Sequence, residues 1–100
     1  MLEIAPYKSD LVKICNSLGV KKLDLFGSAT GKRFKADSDI DLAVEFERYE
    51  NGNLFNRYFE LKERLQHLFE REIDIVVEKA INNPYFKESL ERTRMPIYAI

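Results

Sequence analysis

Ten residues separate the pair Gly27-Ser28 from Asp39, and Asp41 follows two positions later. Aspartate is sparse in strands because its carboxylate must be solvated or paired. Here two of them take alternate positions of a strand-like run, so both side chains leave one face, with backbones roughly 6–7 Å apart. Carboxylates so placed can converge on one or two hard cations. Gly27 permits a close backbone approach, and amides plus the Ser28 hydroxyl at a strand end can hold phosphate oxygens. The loop between adds Lys32, Arg33 and Lys35. Asp74 lies on a later alternating run and supplies a third carboxylate if the two strands are neighbours. A lone Asp-x-Asp is more often a solvated sheet face. In this company, the residues are the parts of a metal-dependent phosphoryl or nucleotidyl transfer site.

The elements that must position these groups follow from periodicity. Leu11, Ile14, Cys15 and Leu18 fall on one face of a helix over Ser9–Leu18, with Ser9 as its cap and Gly19 as its stop. A strand over Lys22–Phe26 runs into Gly27-Ser28 and then a loop, Ala29–Ser38. In the next strand, Asp39–Glu47, Ile40, Leu42, Val44 and Phe46 share one face, while Asp39, Asp41, Ala43 and Glu45 share the other. A turn over Tyr49–Asn53 leads to the longest helix, Leu54–Arg71, whose apolar side is Phe55, Phe59, Leu61, Leu65, Leu68 and Phe69. A third strand spans Glu72–Glu78. Asn83-Pro84 opens a last helix to about Arg94. The apolar tail Met95–Ile100 either packs on the sheet or is left for a partner to cover. The order predicts an α/β (α+β) fold, a small mixed β-sheet of three to four strands with helices on one or both faces.

One hundred residues suffice for a single domain, 1–100, with 45% hydrophobic residues to build its core. Sixteen basic against seventeen acidic side chains argue against direct nucleic-acid binding, which needs surplus positive charge. The single cysteine, Cys15, reads as a small apolar filler and points to a reducing compartment. Without a signal-like start or a run of about 20 apolar residues, the expectation is a cytoplasmic chain with no membrane partner. His67 is expected at the surface. Tyr7, Tyr49, Tyr58, Tyr85 and Tyr98 are expected to pack, and Glu45 stands a step beyond the aspartates.

Leu25-Phe26-Gly27-Ser28, ten residues, then Asp39-Ile40-Asp41-Leu42 is similar to the Gly-Ser-x10-Asp-x-Asp signature of DNA polymerase β-like nucleotidyltransferases. Over nearly the whole chain, the length and helix pattern resemble their minimal form, the MNT domain. The resemblance implies nucleotidyl transfer with two Mg²⁺ ions and ATP as donor. Asp39 and Asp41 would bind both metals. Asp74 would bind the second and accept the proton of the attacking hydroxyl, while Gly27 and Ser28 would hold the β- and γ-phosphates. Members often carry an Arg-Gly step soon after Gly-Ser, whereas Ala29-Thr30-Gly31-Lys32-Arg33 stands there. That leaves open which of Lys32 and Arg33, if either, touches phosphate.

Larger members grip their acceptor with a second domain, for which this chain has no length. Either the acceptor is then a protein surface that brings its own contacts, or a partner completes the pocket in a homo- or hetero-oligomer. MNT domains pair with HEPN ribonuclease toxins, and characterised antitoxins of this kind transfer AMP to a toxin tyrosine. Two alternatives belong to other classes: a non-catalytic antitoxin acting by occlusion, and a small-molecule enzyme resembling the aminoglycoside nucleotidyltransferases.

Overall fold

The carboxylate-bearing strand lies inside the sheet, flanked on both sides. In the computed structural model, which describes residues 2–31, 34–35, 38–47 and 54–100, the helices are α1 (Lys8–Ser17), α2 (Leu54–Phe69) and α3 (Pro84–Thr93). The strands are β1 (Val20–Phe26), β2 (Ile40–Phe46), β3 (Ile73–Val77) and β4 (Met95–Ala99). They form one mixed sheet in the order β3-β2-β1-β4, with β2 and β3 parallel and the other two pairings antiparallel.

Register decides which residues share a face. Leu23 pairs with Val44, Leu25 with Leu42, and Leu42 in turn with Ile75. These apolar positions, with Ile40 and Ile73, meet Leu11 and Cys15 of α1 and Leu61, Leu65 and Phe69 of α2 in one core. Each fully buried aliphatic side chain there contributes about 1.5–3 kcal/mol. Tyr58 donates its hydroxyl to Ile75 O at 2.8 Å, and the rings of Tyr7 and Phe69 meet edge-on at 4.8 Å. On the opposite face, α3 packs its Phe86 ring against Phe26, centroids 5.8 Å apart. Helices thus lie on both sides of the sheet.

Several boundaries differ from the sequence expectation, each for a physical reason. α1 begins at Lys8 after a 3-10 turn, Ala5–Tyr7, opened by Pro6, so Ser9 lies within the helix and caps nothing. β1 starts two residues early because Gly19, at φ +66°, turns the chain straight into buried Val20. α2 stops at Phe69, where Glu70 takes a left-handed φ of 55°. The Asn83 cap is as expected, its side chain accepting from the amides of Tyr85 (2.9 Å) and Phe86 (3.3 Å). The apolar tail is the edge strand β4, with Ile97 and Tyr98 buried and Ile100 exposed. The sequence expectation puts Phe55 and Phe59 among the packed residues of α2, yet they stand 69% and 51% exposed, their rings tilted against each other with centroids 4.7 Å apart. Tyr85 is likewise exposed rather than packed, and Tyr49 and its turn fall outside the described residues. Among the described residues, no helix is long and apolar enough to cross a membrane.

Candidate active site

Three neighbouring strands bring the sequence motif together at one end of the sheet. Asp41 pairs across the parallel β2–β3 register with Asp74, and across the antiparallel β1–β2 register with Phe26, the residue before Gly27. Neighbouring strands lie about 4.8 Å apart, so the acids are adjacent on the open face. Asp39 sits immediately before β2, exposed, and its charge acts on Asp41. Burial first, then the negative charges of Asp74 and Asp39, push the Asp41 carboxyl above its ordinary 3.8.

Gly27 opens the 3-10 turn Gly27–Thr30 directly off β1, in the left-handed region at φ +67°. A Cβ at this position would stand 2.9 Å from Asp41 Oδ2. The glycine is needed twice, for its backbone angle and for the space it leaves the carboxylate. Ser28 beside it is exposed. Lys32 and Arg33 lie outside the described residues, and Lys35 is exposed.

The segment leading into Asp39 is held from the far side by a residue the motif does not contain. Arg71 donates from Nη1 to Lys35 O (2.7 Å) and Ser38 O (3.1 Å), and its guanidinium lies 4.3 Å from the Phe34 ring centroid. Ser38 Oγ accepts the Lys35 amide at 2.9 Å, and Ile40 N–H donates to Glu72 O at 3.0 Å. Thr93 of α3 accepts the Gly27 amide at 3.0 Å. Neither Arg71 nor Thr93 has a spacing relation to the motif that a sequence could display.

The other polar candidates are occupied elsewhere. Glu45 bridges Lys79 (3.2 Å) and Lys21 (3.9 Å), and His67 is exposed on α2. Cys15 is fully buried and its thiol is pushed up to about 12, chiefly by that burial. Asp24 is buried to 1% on the carboxylate face, 3.4 Å from both Lys22 Nζ and Arg94 Nε. Burial pulls against the charge of Arg94, but its bond to Glu78 and the charges of Glu78, Glu91 and Asp24 outweigh that and raise its pKa.

Among the described residues, no three His, Cys, Asp or Glu side chains are drawn into a ready chelating set. The donor chemistry nonetheless fits a hard divalent ion. All three candidates are carboxylates, and the repulsion that adds to burial in raising Asp41 is what such an ion would relieve. Mg²⁺ needs only one or two carboxylates when substrate phosphates and water complete its shell.

A family model described as a nucleotidyltransferase domain matches residues 8–95. A provisionally named protein adenylyltransferase of Methanocaldococcus jannaschii is 40% identical over 72 residues, 72% of this chain and 71% of that protein. Protein adenylyltransferase MntA of Thermococcus cleftensis is 31% identical over 72 residues, 72% of this chain and 70% of its own. A solved structure described provisionally as a minimal nucleotidyltransferase superposes with a TM-score of 0.73 at 29% identity, covering 93% of this chain and 91% of that one. A chain of the complex between an MNT antitoxin and a tri-AMPylated Shewanella oneidensis HEPN toxin shares the fold, with a TM-score of 0.65 at 16% identity, over 98% of this chain and 74% of that one. The paired aspartates, the Gly-Ser turn and these likenesses agree: the chain belongs to the nucleotidyltransferase domain family.

Proposed function

We propose that this chain transfers AMP from ATP to a hydroxyl of a HEPN-domain partner, a tyrosine by preference, and so acts as the antitoxin of that partner. The observation that carries the reading is the register. Asp41 faces Asp74 on one side and the Phe26–Gly27 step on the other, so the carboxylates and the left-handed Gly27 turn share one end of the sheet. Two Mg²⁺ ions, when bound, supply charge neutralisation on the attacking and departing oxygens. Asp39 and Asp41 would hold both ions and Asp74 the second. The Gly27-Ser28 turn would take the β- and γ-phosphates, and Lys32 or Arg33, if either, would be the cation that meets them. Asp74 would accept the proton as the tyrosine oxygen bonds to the α-phosphorus and the bond to the departing pyrophosphate breaks, in line.

The relatives named protein adenylyltransferase and the complex holding an AMPylated HEPN toxin support the choice of nucleotide and acceptor. The buried, unbridged Cys15 supports a cytoplasmic setting. In this reading residues 1–100 act as one domain, and the docked partner supplies the wall of the acceptor pocket.

The test is to incubate the protein with labelled ATP, Mg²⁺ and a HEPN partner, and to read intact masses. Whole AMP units on the partner, lost with Asp41→Asn, are expected. Label on aminoglycosides with the partner unmodified would replace this reading with a small-molecule enzyme. Tight complex formation with no label anywhere would replace it with occlusion.

A further inference from the structure

Both backbone polar groups of Gly27 are committed to threonine hydroxyls from different parts of the chain. Its N–H donates to Thr93 Oγ1 at 3.0 Å, and its carbonyl accepts from Thr30 Oγ1 at 2.9 Å. Thr93 in turn donates its single hydroxyl proton to Ser89 O at 3.1 Å, which leaves a lone pair turned to Gly27. The end of α3 is held over the sheet at the adjacent residue as well. Arg94 pairs with Glu78, lies 3.3 Å from Glu91 Oε1, and reaches to 3.4 Å from the buried Asp24 carboxylate on β1.

We infer that Thr93 is a positioning residue for nucleotide binding, fixing the left-handed kink of Gly27 so that Ser28 faces the phosphates. The inference rests on the reading of Gly27-Ser28 as the phosphate turn, and it refines that reading. With its amide given to Thr93, Gly27 serves by shape and by leaving room for the Asp41 carboxylate. Direct contact with phosphate falls to Ser28, the exposed residue of the turn. A left-handed glycine is free to leave that conformation, and the two threonines remove the freedom. Such preorganisation acts on binding of the non-reacting phosphates more than on the chemical step.

The experiment compares Thr93→Val, which keeps the shape and loses the acceptor, with Thr93→Ser, which keeps it; Thr93→Ala replaces the valine variant if that one does not fold. In the nucleotide-free protein, the Gly27 amide should exchange with solvent at least about tenfold faster in Thr93→Val and at the wild-type rate in Thr93→Ser. The KM for ATP should rise about fivefold to tenfold in Thr93→Val, the loss expected for one hydrogen bond, with kcat within about twofold, and Thr93→Ser should restore it. Unchanged exchange and KM in Thr93→Val overturn the inference, as does an equal loss in the serine variant. Wild-type protein that does not bind ATP at all overturns the phosphate reading itself, and its own binding curve tells the two failures apart.

Discussion

Asp41 and Asp74 stand opposite one another in the parallel pairing of β2 and β3, and burial together with this like charge and that of Asp39 raises the Asp41 carboxyl from its ordinary 3.8. The folded protein therefore keeps a proton on Asp41 at pH values where the unfolded chain has released it. On this group's account, stability is greatest below 3.8, declines as the pH rises through the raised folded value, and is level above it. Asp41→Asn should melt no lower than wild type at neutral pH, lose that decline, and abolish transfer. Thermal melts across about pH 4 to 8, with and without Mg²⁺, check this; the ion should lessen the wild-type decline.

Gly27→Ala should be costly in both respects. The φ of +67° strains any L residue by about 1–2 kcal/mol, and the new methyl would press on Asp41 Oδ2 from 2.9 Å. The carboxylate must shift, so transfer should fall about a hundredfold while most of the stability remains. A melting curve beside a single-turnover assay separates the two effects.

Arg71 is expected to matter through Asp39 without touching substrate. Its Nη1 bonds to Lys35 O and Ser38 O are set by a flat guanidinium lying over the Phe34 ring, an arrangement that a lysine ammonium does not reproduce, so Arg71→Lys should behave nearly like Arg71→Ala. Both should cost about 1–2 kcal/mol of stability and lower transfer roughly tenfold. Full activity in either variant, measured as modified partner per minute, would remove Arg71 from the account.

Cys15 should be inert until the protein unfolds. Its thiol is fully buried and pushed up to about 12, so almost no thiolate is present near neutral pH. A thiol reagent should label it at the rate of global opening, and increasing urea should accelerate labelling in step with unfolding.

The motif was legible because alternation is local. Ile40, Leu42, Val44 and Phe46 against Asp39 and Asp41 define a two-faced strand within a few residues, and Asn83-Pro84 marks a helix start just as locally. What escaped depends on pairings distant in sequence. Pro96 and a short apolar run do not spell a strand; β4 exists because β1 offers an edge, where a proline is tolerated. Phe55 and Phe59 have helical spacing, but spacing says which residues share a face and not whether anything meets it. Asp24 looks like a surface acid and is nearly inaccessible, its partner Arg94 being brought in by α3. The same arrangement places Thr93 at Gly27.

The pairing of β1 with β4 also governs when the site can exist. Lys22 lies beside Ala99 and Leu23 beside Tyr98, so the strand that delivers Gly27 is not flanked on both sides until residues from the far end of the sequence have joined it. Closing so long a loop is a slow, late event in folding. A chain lacking β4 would expose the edge of β1, the strand that leads into Gly27.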